Sequence, residues 1–169
     1  VIDRGIVPII MTTFSKFAGS AGAAISAPNR ELIDLLDVSP TSIGTISLPP
    51  PVTAAALESI RQVRSHPERV AKLQSNTRYL RSKLIAAGFE AIGETNVVPV
   101  LLPPDLDPKS FARALMEEHG IWVSAIWFIA KPRLRITANA LHTQAEMDGL
   151  VEAMVAVRQK LGGAVAQYA

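Results

Sequence analysis

Three consecutive prolines, Pro49-Pro50-Pro51, place the strongest limit on how this chain folds. Proline lacks a backbone N–H and holds φ at about −65°, so such a run fits neither a helix interior nor a central strand. With Pro40 and Gly44 it makes residues 39–51 a boundary between two sequence patterns. Upstream, residues 6–13 read IVPIIMTT, a β-rich apolar run of the kind buried on both faces in a parallel sheet, with Pro8 keeping its first half near an end or edge. Small residues from Gly19 to Gly22 then turn the chain toward a second short strand at 23–26. Residues 27–38 predict a helix with Pro28 in an early position and Leu32, Ile33, Leu35 and Leu36 on its apolar side.

Beyond the prolines the period becomes helical. Residues 53–64 and 67–87 carry apolar side chains at helical spacing, Ser65-His66-Pro67 breaks the run, and Gly88 stands in the closing position of the second helix. From Phe89 onward the pattern predicts strands at 97–102, 121–128 and 134–138, with a helix over 108–119 opened by Asp107 as cap and Pro108 at its first position. A last helix over 144–161 begins with a capping box between Thr143 and Glu146, and Met147, Leu150, Val151 and Met154 form its buried stripe. The expected fold class is α/β: the end of a large α/β domain, a helical link, and a small α/β domain.

The length, 169 residues, allows one domain or two small ones. At 49% hydrophobic and 19% charged, the chain is globular and rich in apolar surface for its size. Seventeen Lys and Arg against 15 Asp and Glu, with no run of basic residues, argue against a nucleic-acid partner held by many phosphate contacts. The absence of cysteine excludes disulfides, thiolate metal sites and a cysteine nucleophile. No apolar run reaches the ~18 residues of a membrane span, and no signal-peptide pattern opens the chain; the expected location is cytoplasmic. Beginning at Val1 rather than Met, the chain reads as a fragment of something larger.

The segment Thr13-Phe14-Ser15-Lys16-Phe17-Ala18-Gly19-Ser20-Ala21-Gly22 concentrates the chemistry. A lysine between a buried strand and a glycine turn sits at a cleft, where desolvation favours its neutral, nucleophilic amine and so imine formation. Hydroxyls at Thr13 and Ser15 can donate to a phosphate, and the glycines let the backbone approach a bound group. On these residues alone, a solvated turn lysine is the simpler explanation of the pattern. Arg133 and Arg135 lie two apart on an expected strand and so face one side, as ligand contacts or as structural ion pairs. His66, His119 and His142 have no spacing that suggests a metal, and Trp122 and Trp127 read as core or interface side chains.

The T-F-S-K segment followed by spaced small residues and G-A-A resembles the cofactor-lysine segment of the α-oxoamine synthases, the family of 8-amino-7-oxononanoate synthase, 2-amino-3-ketobutyrate ligase, 5-aminolevulinate synthase and serine palmitoyltransferase. S-L-P-P-P at 47–51 resembles the family's segment before its linking helix, and R-L-R-I-T-A-N-A-L-H-T at 133–143 resembles its C-terminal arginine motif. The resemblance covers nearly the whole chain. It implies the C-terminal portion of a fold-type I pyridoxal-phosphate transferase, with residues 1–50 ending the cofactor-binding large domain, 51–88 a helical linker and 89–169 a small C-terminal α/β domain. It also implies a homodimer, pyridoxal 5′-phosphate as cofactor, and condensation of a small amino acid with an acyl-CoA thioester, usually with decarboxylation, to an aminoketone.

By that resemblance Lys16 is the lysine that holds the cofactor as an imine and later moves the α-proton. Thr13 matches the threonine that touches the cofactor phosphate, with Ser15 a second candidate by its hydroxyl alone; Arg135 binds the substrate carboxylate, and Thr45 reaches the phosphate of the neighbouring subunit's cofactor. Gly44 stands where the family has an aromatic residue before Thr45, and the loop between Ile126 and Arg133 is shorter than the family's, so acyl-chain preference does not carry over. The remainder of the site, including the partner of the cofactor's pyridine nitrogen, belongs to a missing N-terminal half, without which the chain is expected to be inactive. Two other readings stay open: another fold-type I pyridoxal enzyme such as an aminotransferase or lyase, and a non-catalytic synthase-like subunit.

Overall fold

The computed structural model describes residues 9–44, 46–128 and 131–166. Packing divides the chain between Pro67 and Glu68 into two units. The first holds β1 (Ile10–Thr13), β2 (Ala23–Ser26), α1 (Arg30–Asp37) and α2 (Pro50–Ser65). The second holds α3 (Pro67–Ala86), β3 (Glu90–Ala91), β4 (Val97–Leu101), α4 (Pro108–His119), β5 (Ser124–Ile126), β6 (Arg133–Thr137) and α5 (Gln144–Ala166).

In the first unit β1 and β2 form a two-stranded antiparallel ribbon in which Ile10 opposes Ser26 and Thr13 opposes Ala23. This corrects the expectation of a doubly buried strand with parallel neighbours: Met11 is 67% exposed and Ile25 46%. The apolar run records what the strand is suited to lie against, and the described part of this unit supplies only one neighbouring strand. Residues 6–8 of the expected strand lie outside the described residues. A lone ribbon is marginal in water, and this one is held through its loop to α2, as described below. Helix α1 starts later than expected: Asn29, not a residue before Pro28, is the N-cap, its side chain accepting from the Leu32 N–H at 3.1 Å. Pro50 and Pro51 open α2 at positions where no intrahelical N–H is needed, which is how a triple proline and a helix adjoin.

The second unit is a sheet covered by helices. Its strand order is β3-β4-β6-β5, all neighbours antiparallel. Alternation decides the faces: Val98 and Val100 of β4 and Leu134 and Ile136 of β6 turn inward and are buried. They meet Leu80 and Leu84 of α3, Phe111 and Leu115 of α4, and Met147, Met154 and Val157 of α5 in one cluster. Each such fully buried side chain stabilises the fold by about 1.5–3 kcal/mol before entropy is counted. The opposite face carries Val97 and Pro99 on β4 and Arg133, Arg135 and Thr137 on β6.

The expected caps are present. Asp107 accepts from the Ser110 N–H at 2.9 Å at the start of α4, and Thr143 and Glu146 satisfy each other's amides at 2.7 and 3.2 Å at the start of α5. At the end of α3, Gly88 takes φ +79° and the Phe89 N–H reaches back to the Leu84 carbonyl at 2.9 Å. Two further carbonyls there, of Ala87 and Gly88, accept from Arg158 of α5 at 2.9 and 3.1 Å. The two-residue β3 is not legible in the sequence, β5 is shorter than expected and α5 longer. Among the described residues no helix is long and apolar enough to cross a membrane.

Candidate functional site

The ribbon's connection, residues 14–22, is built by its own backbone. Phe14 N–H donates to Gly22 O at 2.9 Å, Ser20 N–H to Phe14 O at 3.0 Å, and Gly19 N–H to Lys16 O at 3.3 Å, so Lys16 opens a tight turn that Gly19 closes. Phe14 and Phe17 meet edge to face across it. The turn is fastened to α2 at two points: Ser59 Oγ donates to Ala18 O at 2.9 Å, and Ser20 Oγ donates to Val52 O at 2.8 Å. Between them Ala18 and Ala56 are both buried. The small side chains of α2 permit this approach, and the loop acquires a fixed shape that an isolated ribbon could not give it.

Lys16 projects from this loop. Its Nζ lies 3.5 Å from Thr13 Oγ1, a long contact that brings the amine and the hydroxyl to one place. Ser15 beside it is exposed. Lys16 is itself exposed: the ribbon carries the amine, and nothing described in the first unit encloses it. The expected contact residue Thr45 lies outside the described residues.

Arg135 belongs to the second unit. On β6 it sits between Pro99 of β4 and Ser124 of β5. Its guanidinium has no hydrogen-bond or ion-pair partner among the described residues, whereas Arg133 Nε donates to Lys131 O at 2.9 Å. Arg135 lines a groove of about 980 Å³ together with Ser124, Thr137, Trp122, Leu150 and other residues of the second unit. Trp122 and Trp127 are not core residues; they are 75% and 50% exposed, and Lys109 Nζ stacks 4.1 Å from the Trp127 ring. Sequence reasoning passed over Ser124, whose only signal was its place in a β-rich run. His142 Nδ1 accepts from the Asn139 N–H at 3.3 Å, a local turn contact.

The sequence matches the aminotransferase class I and II family over residues 2–154. The chain belongs to that family. Its relatives include 8-amino-7-oxononanoate synthase of Symbiobacterium thermophilum, 32% identical over 164 residues, which cover 94% of this chain and 41% of that protein. 5-Aminolevulinate synthase 2 of Cereibacter sphaeroides is 31% identical over 168 residues, 96% of this chain and 41% of that protein. Among solved structures, one described as SPT with a pyridoxal-phosphate internal aldimine superimposes with a TM-score of 0.82 at 28% identity, over 92% of this chain and 41% of that one. A serine palmitoyltransferase of S. paucimobilis gives 0.81 at 27% identity over the same shares. These matches make the fold part of a fold-type I pyridoxal-phosphate transferase, and the relatives are α-oxoamine synthases. The chain spans about two fifths of the length of these family members.

Proposed function

We propose that this chain is the C-terminal part of a pyridoxal-phosphate acyltransferase that condenses a small amino acid with an acyl-CoA thioester, usually with decarboxylation, to give an aminoketone. The observation that carries the proposal is the Lys16 amine held beside the Thr13 hydroxyl on a loop fastened twice to α2. An amine and a neighbouring hydroxyl are the donor set that an aldehyde bearing a phosphate needs: one group to bond covalently, the other to donate to an anionic oxygen. Residues 1–50 would then close the large domain, 51–88 link it, and 89–169 form the small domain.

The cofactor, when bound, supplies an electron sink for negative charge developing at the amino acid's α-carbon. Lys16 would hold the cofactor through Nζ, and its free amine, beside the α-carbon, would be the base that accepts the α-proton. Thr13 and Ser15 donate hydroxyl protons toward the phosphate. Arg135 holds the amino acid's carboxylate through the two parallel N–H donors of its planar fork and so orients the α-carbon. In this reading other parts of the full-length enzyme enclose Lys16, which is why its exposure here accords with a weak, inactive isolated chain. Thr45 reaches a partner subunit's phosphate; the strong exposure of Ile43 and Ile46 on either side of it supports a homodimer contact there. The cytoplasm is the proposed location.

The test is borohydride reduction of the intact enzyme in the presence of pyridoxal phosphate, followed by peptide mapping. The cofactor is expected on Lys16, and an adduct on any other lysine refutes the assignment. Acyl-CoA-dependent release of free CoA with glycine, alanine or serine then separates acyl transfer from transamination or elimination. Strong stoichiometric cofactor binding by the chain alone would overturn the claim that it needs the rest of the enzyme.

A further inference from the structure

Arg135 has one hydroxyl neighbour across the sheet, and the backbone pattern fixes where that hydroxyl points. Ala138 N–H donates to Asn96 O on the β4 side at 2.8 Å. Donors alternate along a strand, so Ala138, Ile136 and Leu134 turn their backbone groups toward β4, while Thr137, Arg135 and Arg133 turn theirs toward β5. The register places Ser124 directly opposite Arg135. They are therefore a hydrogen-bonded antiparallel pair, with Cα atoms about 5.5 Å apart and both side chains on one face. That face is the one opposite the core, since Leu134 and Ile136 point the other way.

On the β4 side the residue facing Arg135 is Pro99, which has no polar side chain. Ser124 is half-buried, and among the described residues its Oγ has no hydrogen-bond partner. Both residues also border the groove, which core-side Ile136, Met147 and Leu150 line as well, so it is the strand register that places the two side chains on one face. Glu146 and Glu152 of α5 also line that groove; Glu146 Oε2 is occupied by the Thr143 N–H and hydroxyl at 2.7 and 2.9 Å. A paired cation and hydroxyl, both uncommitted and both on one open face, make a composite seat for a small carboxylate: the guanidinium takes both oxygens from one side, and the hydroxyl donates to one of them from the other.

We propose that Ser124 is a second substrate-binding residue, donating its hydroxyl proton to the carboxylate of the amino acid that Arg135 holds. The proposal rests on the reading of Arg135 as the carboxylate ligand. Its consequence is a requirement for a free carboxylate on the amino acid, because that group must settle between two side chains projecting from adjacent strands.

The experiment compares S124A, S124T and R135A in the intact enzyme. Two quantities are read: KM for the amino acid, and its dissociation constant from the change in cofactor absorbance with no acyl donor present. S124A is expected to raise both by about 10-fold, the usual size for losing a hydrogen bond to a charged group, with kcat changed far less. S124T keeps the hydroxyl and is expected to restore most of the affinity, which a merely structural role for position 124 does not predict. If R135A weakens binding and S124A does not, Ser124 is no ligand and the proposal falls while the role of Arg135 stands. If R135A leaves binding unchanged, the carboxylate is held elsewhere and both fall. Should S124A fold poorly, S124T against S124V gives the same comparison at nearly constant volume, and equal affinity of those two overturns the proposal.

Discussion

Arg133 and Arg135 project from the same face of β6, yet Arg133 donates through Nε to the Lys131 carbonyl at 2.9 Å while the Arg135 guanidinium has no partner among the described residues. Two arginines that strand alternation alone could not separate are distinguished by what surrounds them. R135A in the intact enzyme is expected to weaken amino-acid affinity by about 100-fold, the scale of removing one member of a charged, hydrogen-bonded pair. R135K retains the charge but loses the planar fork and falls between. R133A is expected to shift amino-acid affinity by less than about threefold. Equal losses in R133A and R135A would contradict the assignment.

Gly22 adopts φ +89°, and a Cβ there would stand 2.5 Å from Leu48 Cδ1. Its carbonyl also closes the Lys16 loop by accepting from the Phe14 N–H. G22A is expected to cost about 1–2 kcal/mol from the left-handed backbone alone, with added strain from Leu48. The double variant G22A/L48A removes the collision but not the backbone strain, so thermal melts should show partial recovery only. Trapping of cofactor on Lys16 should slow in G22A, because the loop that presents the amine is what the substitution disturbs.

Asp107 caps α4, and the Ser110 N–H, then the Ser110 hydroxyl, hold its carboxyl below the usual aspartate range. A group depressed on folding contributes fully above its unfolded value and loses that contribution as pH falls through the folded one. D107A is expected to cost about 1 kcal/mol at neutral pH, with the gap between wild type and variant closing in acid. D107N keeps an acceptor and should retain most of the cap while losing that pH dependence. Urea midpoints measured from neutral pH down into the acid range check both statements.

Tyr79, Lys83 and Asp148 form a linked set between α3 and α5: Lys83 Nζ lies 3.0 Å from Asp148 Oδ1, and the Tyr79 hydroxyl donates to both Asp148 oxygens at 2.9 Å. The hydrogen bond to Asp148 raises the Lys83 ammonium above its usual range, and the bond from Lys83 lowers the Asp148 carboxyl below its own. The Asp148 contribution is therefore lost toward acid pH, and the Lys83 contribution only at pH values above the ordinary lysine range. Both side chains are well exposed, so the effect on melting temperature should be small and should shrink in high salt. A D148N melt that is insensitive to salt while the wild type is sensitive is the expected pattern.

Phe111 is fully buried at the centre of the second unit. F111A is expected to destabilise by about 3–5 kcal/mol through lost burial and the cavity it leaves. A guanidinium titration should move the midpoint without changing the slope, since the surface exposed on unfolding is nearly the same.

Much of the second unit was legible because its signals are local. Asp107-Pro108, the Thr143 and Glu146 box, and Gly88 act through hydrogen bonds within a few residues, so spacing alone placed α4, the start of α5 and the end of α3 close to where they stand. β3 was missed because a two-residue strand exists only through its pairing with Val100 and Leu101 of β4. The first unit was read less well for a related reason. An apolar run such as 6–13 states a preference for burial but not the partner that provides it, and β1 has an antiparallel neighbour and an open face.

Composition, turn chemistry and cap spacing therefore determined the kinds of elements, their order, and the loop that carries Lys16, because each depends on residues close together in the chain. Tertiary structure decided which side chains are available to act. It fastened the Lys16 loop to α2 through Ser59 and Ser20, left Lys16 exposed on the ribbon, and engaged Arg133 while leaving Arg135 uncommitted. It also set Ser124 opposite Arg135. These relationships join residues separated along the sequence, and strand register and helix packing, which set them, are products of the whole core.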